Sequence, residues 1–285
     1  MKNQIALTID LEEYFHAANL AEVCPIKSWS YLPSRVEMSC DILLDTFDRY
    51  KQKGTFFVLG YCARANPGLI KKISQRGHEI ASHGFAHKIA YFQNRKQFFR
   101  DVDKSKKLLE DISGIKVHGY RAPNFSIRDE NLWAYDELTK AGYTYDSSLY
   151  PVYHHRYGNP HRSLLPEERS TDYGKLLVLP LAVYLLNLGL KEFRLPVAGG
   201  AYWRFLPRFL TATALKQIEK ERTPVICYLH PWEIDYGQPH FANLSLGKKI
   251  RHYYGVKSLT SKLDYFMSKF NFSSIKNVSK DILPI

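Results

Sequence analysis

Cysteine is scarce: Cys24, Cys40, Cys62 and Cys227 lie far apart and form no CxxC pair. That spacing excludes a zinc knuckle and a disulfide framework and predicts free thiols, as in a reducing compartment. Long apolar runs are also missing. None reaches the roughly 20 residues a helix needs to span a bilayer. The most apolar stretch, 176–190, is interrupted by Pro180 and Asn187 and reads as a core strand with its continuation. The opening MKNQIALTID enters an alternating apolar strand at once. It has neither the h-region nor the cleavage site of a secretory signal, so a cytoplasmic location is expected. There is no internal repeat, no low-complexity tract and no Pro/Gly/Ser linker long enough to separate domains. Acidic residues are outnumbered, 28 Asp and Glu against 40 Lys and Arg, for a formal net charge of +12. Such an excess favours an anionic neighbour, but the basic residues are dispersed and identify no partner by themselves.

The 285 residues are 45% hydrophobic, enough to bury one large core. Short β-type runs alternate with helical patterns, the signature of a parallel α/β fold. Strands are predicted at 4–9, 55–59, 78–82, 117–120, 143–145, 176–179 and 224–229. Helices are predicted at 35–53, 67–76, 96–112, 130–141, 207–221 and 258–269. The first helix has Ser34 as its expected cap and Glu37 in the capping-box position. About seven β/α units result, in a single domain over 1–285 with its core at about 4–234. Residues 151–174 read as a long irregular insertion of the kind that shapes a binding site. A basic, aromatic extension occupies 235–285, and its role is not legible from the pattern.

The chemistry collects at strand ends. Asp10, His83, Arg121, Asp146 and His230 each fall at the C-terminal end of a predicted strand, the active-site rim of barrel-type α/β folds. His83 and His87 form an HxxxH pair. If the turn begins a helix, they share a face and can bind one metal. Asp10 and Glu12 are two apart, so an extended strand end aims both into the same space while Leu11 and Glu13 point elsewhere. One carboxylate can then hold a metal and the other act as a base. His230 is placed to protonate a leaving amine. Arg121 can pair with a carboxylate, and Asp146 with an imidazole.

The ordered segments TIDLEE, GHEIASHGFAH, GYRAPNFSI, YDSSLYP and LHPWEID resemble the motifs of the NodB-type polysaccharide deacetylases, carbohydrate esterase family 4. Together with FFVLG and GGAYWR they are most similar to the subfamily encoded with bacterial exopolysaccharide and exosortase systems. The resemblance runs from about residue 4 to about residue 255. It implies a distorted (β/α)7 barrel and a single catalytic domain that removes N-acetyl groups from a glycan and releases acetate. It also implies one divalent metal, usually zinc, on His83, His87 and a carboxylate. Many members carry Asp-Asp in the first motif. Here the second position is Leu11, which makes Glu12 the natural ligand with Glu13 as the alternative. By position, Asp10 would be the general base, Arg121 its partner, His230 the general acid and Asp146 a group that tunes the pair. The backbone N–H of Asn124 would help bind the oxyanion.

The implied partner is an N-acetylated oligo- or polysaccharide, with Tyr150, Tyr202, Trp203 and Trp232 as candidate stacking platforms. No nucleic-acid partner is expected. A lipid-linked glycan at an anionic membrane surface would suit both the positive charge and a cytoplasmic enzyme. Two other readings are a cyclic amide or ureide hydrolase on the same fold and a non-catalytic carbohydrate-binding protein.

Overall fold

A computed structural model describes residues 5–154, 157–189, 191–221 and 224–282. Positions 1–4, with the expected strand start Gln4, lie outside them, as do 155–156 of the insertion and residue 190 of the apolar stretch. The strands are β1 (Ile5–Leu11), β2 (Thr55–Val58), β3 (Glu79–Ser82), β4 (Gly119–Tyr120), β5 (Tyr145–Asp146), β6 (Glu167–Thr171), β7 (Gly174–Val178), β8 (Val183–Leu188), β9 (Lys191–Pro196), β10 (Val225–Leu229) and β11 (Phe272–Ser273). The helices are α1 (Val36–Arg49), α2 (Gly60–Ala65), α3 (Pro67–Gln75), α4 (Arg95–Ser113), α5 (Ala134–Lys140), α6 (Ala201–Phe205), α7 (Arg208–Glu221), α8 (Leu246–Tyr253), α9 (Val256–Lys269) and α10 (Ile275–Val278).

Seven parallel strands stand in the order β10-β1-β2-β3-β4-β5-β7. β1 is buried along its whole length, as a strand covered on both faces must be. The gap between β7 and β10 is crossed by irregular backbone, with Ala182 N–H donating to Ile226 C=O and Tyr228 N–H to Ala198 C=O. The result is the expected distorted (β/α)7 barrel. All parallel strands deliver their C-terminal ends to one rim.

Four local expectations need correction. Ser34 does not cap α1. Its hydroxyl donates to the Glu13 carboxylate, which itself accepts the N–H groups of Arg35 and Val36 and closes the helix start from a distant segment. The insertion is not wholly irregular, because β6 pairs antiparallel with β7. The apolar stretch is not one strand and its continuation. β7 stops at Val178, before Pro180, and the chain re-enters as β8 of a separate β8-β9 hairpin. The extension is built into the barrel, since β11 pairs parallel with the start of β1. Gln52 ties it down further by donating to the carbonyls of Met267 and Phe270. Among the described residues no helix is long and apolar enough to cross a membrane. All four cysteines are buried and unpaired.

Candidate active site

Arg121 follows β4 directly and is fully buried. A guanidinium in that position must satisfy its donors inside the protein. Its Nη1 reaches Asp10 Oδ1 and Thr8 Oγ1, both at 2.6 Å, its Nε reaches Ser147 C=O at 3.0 Å and its Nη2 reaches Ser147 Oγ at 3.0 Å. Thr8 and Asp10 are two apart on β1, so strand alternation brings both to one cation. The expected Arg121–Asp10 pair is present, and Asp10 Oδ2 is left facing His230 Nε2 at 4.0 Å.

The same alternation separates Glu12 from Glu13. Glu13 turns to the start of α1, while Glu12 turns into the rim with Oε2 2.7 Å from His87 Nε2. Oε2 is buried, and among the described residues the His87 ring is the one group that approaches it. One ligand atom each from Glu12, His83 and His87 gather within 4.8 Å of one another. His83 Nδ1 lies 2.9 Å from the Arg121 carbonyl, which can only accept, so the proton sits on Nδ1 and Nε2 keeps its lone pair. Burial pulls the His83 ring down to about 4, past the opposing pull of Asp10 and Glu12. Burial alone would raise the Glu12 carboxyl, but His87, His230 and His83 hold it well below the usual carboxylate range. A buried carboxylate oxygen facing one imidazole nitrogen, with the Nε2 lone pair of His83 in the same cluster, fits a divalent metal. The HxxxH turn is not helical. Residues 83–87 form a loop, and His87 reaches the cluster through left-handed backbone with φ +53°. Asn124 adopts the same region at φ +52°. Each such residue costs on the order of 1 kcal/mol and persists where the surroundings impose it.

His230 follows β10. Its Nδ1 is 3.0 Å from Glu233 Oε2, and its Nε2 faces the cleft 3.7 Å from Glu12 Oε1. Burial works against the charged ring, yet Glu233, with smaller help from Glu12 and Asp10, lifts its pKa to about 9. Glu233 is itself held low against its own burial by Arg204 and His230. Arg204 Nε meets Glu233 Oε1 at 2.9 Å with both side chains buried. The expectations did not include this Arg204–Glu233–His230 relay. Its local signal was the acid three residues after the histidine, a spacing that lets one short turn join them.

Three candidates, Asp146, Tyr150 and Trp203, take other places. Among the described residues Asp146 touches no imidazole; its carboxylate accepts from the Ser148 N–H and hydroxyl. Ser148 Oγ in turn accepts the Ala122 N–H, so Asp146 acts on the turn that carries Arg121. Burial raises its pKa to about 7 against those donors and the Arg121 charge. Trp232 lines the cleft as expected, 7% exposed and stacked on both His230 and His252. Its indole N–H donates to Glu12 Oε1 at 3.1 Å. Tyr150 and Trp203 are core residues, whereas Tyr157 and Tyr202 line the cleft. That cleft, of about 410 Å³, also collects Asp10, Glu12, His83, His87, Asn124 and His230. Its size suits one or two sugar rings.

Residues 33–145 match a family model described as polysaccharide deacetylase, and residues 147–280 match one described as a domain of unknown function, DUF3473. A peptidoglycan deacetylase of Helicobacter pylori is 27% identical over 161 residues, 53% of this chain and 52% of that protein. The peptidoglycan-N-acetylglucosamine deacetylase PgdA of Listeria monocytogenes is 36% identical over 81 residues, 28% of this chain and 17% of that protein. The matched region is thus about half of the first protein and about a sixth of the second. A crystal structure from Mycobacterium smegmatis, described as a polysaccharide deacetylase, superposes with a TM-score of 0.65 at 19% identity, covering 98% of this chain and 89% of that one. The peptidoglycan deacetylase PdaC of Bacillus subtilis gives 0.52 at 13% identity, covering 98% and 91%. At these identities the structural likeness speaks for the fold. Residues 33–145 thus resemble a polysaccharide deacetylase domain, and the candidate site draws in Asp10 and Glu12 before that segment and His230 after it.

Proposed function

We propose that the chain is a metal-dependent N-deacetylase of an amino-sugar glycan, releasing acetate. The observation that carries this reading is the convergence in one cleft of a carboxylate fixed by arginine, a Glu-His-His cluster and a histidine fixed by a second carboxylate. A divalent ion on Glu12, His83 and His87 would polarise the amide carbonyl and make a water more acidic, and two imidazoles with one carboxylate suit zinc. Asp10, oriented by Arg121, takes a proton from that water at Oδ2. The Asn124 N–H, presented by left-handed backbone, donates to the oxyanion. His230 is protonated below about pH 9 and delivers its Nε2 proton to the departing amine. Asp146 positions this machinery through Ser148, and the whole chain acts as one catalytic unit.

The substrate we infer is an exopolysaccharide or its lipid-linked precursor. Support for a surface contact comes from α8, where exposed Leu246 and Ile250 lie one turn apart. Acetate release from N-acetylglucosamine oligomers, with and without added zinc, tests the activity. Asp10→Asn should abolish turnover with metal still bound, and retained turnover would refute Asp10 as the base. Salt-independent failure to float with anionic liposomes would remove the membrane contact.

A further inference from the structure

The cleft is not electrically uniform. Its carboxylates, Asp10, Glu12 and Glu233, cluster at the catalytic end, and each has a positive or metal-binding counterpart: Arg121, the histidine cluster, and Arg204 with His230. The lining also includes Arg251, half-buried, and among the described residues no carboxylate pairs with it. Its Nη2 rests 2.9 Å from His154 Nε2. The His154 ring stacks on Tyr157 at 3.8 Å between centroids, and Tyr157 stacks on Tyr150. The backbone beneath Arg251 is equally fixed. Arg204 donates from Nη2 to the Arg251 carbonyl at 3.0 Å and from Nη1 to those of His252 and Tyr254. The guanidinium is therefore set at a defined place relative to the Glu233–His230 pair. A cation held in a partly desolvated wall without a counterion attracts an anion more strongly than one in open water.

We propose that Arg251, steadied by His154, forms a subsite for an anionic group, carboxylate or phosphate, carried by the glycan in the cleft. The proposal rests on reading the cleft as a deacetylase site. A guanidinium presents paired donors that match the two oxygens of either group. Arg251, His154, Tyr157 and Arg204 all lie within 147–280, so the subsite gives a task to the region whose family model is described as a domain of unknown function.

The test is calorimetric binding of three N-acetylglucosamine trimers to the full chain: neutral, ending in glucuronic acid, and bearing a reducing-end phosphate. The wild type should prefer at least one charged ligand over the neutral one by about tenfold, the worth of one charge-assisted contact. In Arg251→Gln the ratio of charged to neutral affinity should fall to near one, and Arg251→Lys should restore part of it. Whether the carboxylate or the phosphate ligand shows the larger ratio identifies the source of the anion. Equal affinities in the wild type, or a preference that survives Arg251→Gln, would overturn the subsite. Acetate release from the same ligands separates the two ideas. Turnover without charge preference sinks the subsite alone. A charge preference without any turnover sinks the deacetylase reading alone.

Discussion

Replacing Glu12 and Glu13 separately tests how strand alternation divides two adjacent carboxylates between chemistry and folding. Glu13 accepts from the Arg35 and Val36 N–H groups and from the Ser34 hydroxyl, and burial pushes its carboxyl up against those donors. In Glu13→Ala the helix start loses its cap, worth about 1–2 kcal/mol. The stranded, largely buried donors add about 1 kcal/mol more. A loss of about 2–3 kcal/mol corresponds to a fall of roughly 4–12 °C in Tm for a chain of this size. Metal content should stay near that of the wild type. Glu12→Gln should act on the metal instead: it keeps an oxygen to accept from Trp232 Nε1 but removes the charge that faces His87, so bound metal falls sharply. The assays are calorimetric Tm in chelator and metal content by mass spectrometry after dialysis. If Glu13→Ala loses the metal and Glu12→Gln keeps it, the assignment of the two side chains is wrong.

Three further outcomes follow from neighbouring contacts. Glu233→Gln removes the charge that holds the His230 pKa at about 9, leaving burial to pull it down. A general acid is lost as pH rises through its pKa, so the alkaline limb of the kcat profile should move to lower pH, and an unmoved limb would exclude His230 as the acid. Trp232→Phe keeps the aromatic ring but removes the donor to Glu12 Oε1; metal affinity, read by chelator competition, should weaken about 10–100-fold. Gly199→Ala would place a Cβ 1.8 Å from the Tyr228 carbonyl oxygen on backbone with φ +144°. It should cost more than about 4 kcal/mol in denaturant unfolding, because the strand carrying His230 would have to shift.

The sequence by itself determined the parallel α/β class, the succession of strands and helices in the barrel, and the strand-end positions of Asp10, His83, Arg121, Asp146 and His230. These follow from local periodicity and from turn and capping residues, which act over a few neighbours. It also carried the alternation that sends Asp10 and Glu12 to one side of β1. Only tertiary structure decided which carboxylate caps α1, because Glu13 and Arg35 are 22 residues apart and the strand alternation does not say what each side of β1 meets. Tertiary structure likewise gave Asp146 Ser148 as its partner, and made the Trp232 indole a donor to Glu12. It joined Arg204, Glu233 and His230 in one relay and brought Arg251 of the extension against His154 of the insertion. Such contacts depend on closing the barrel and laying the extension back across its rim. No short-range pattern encodes which side chains meet when that happens.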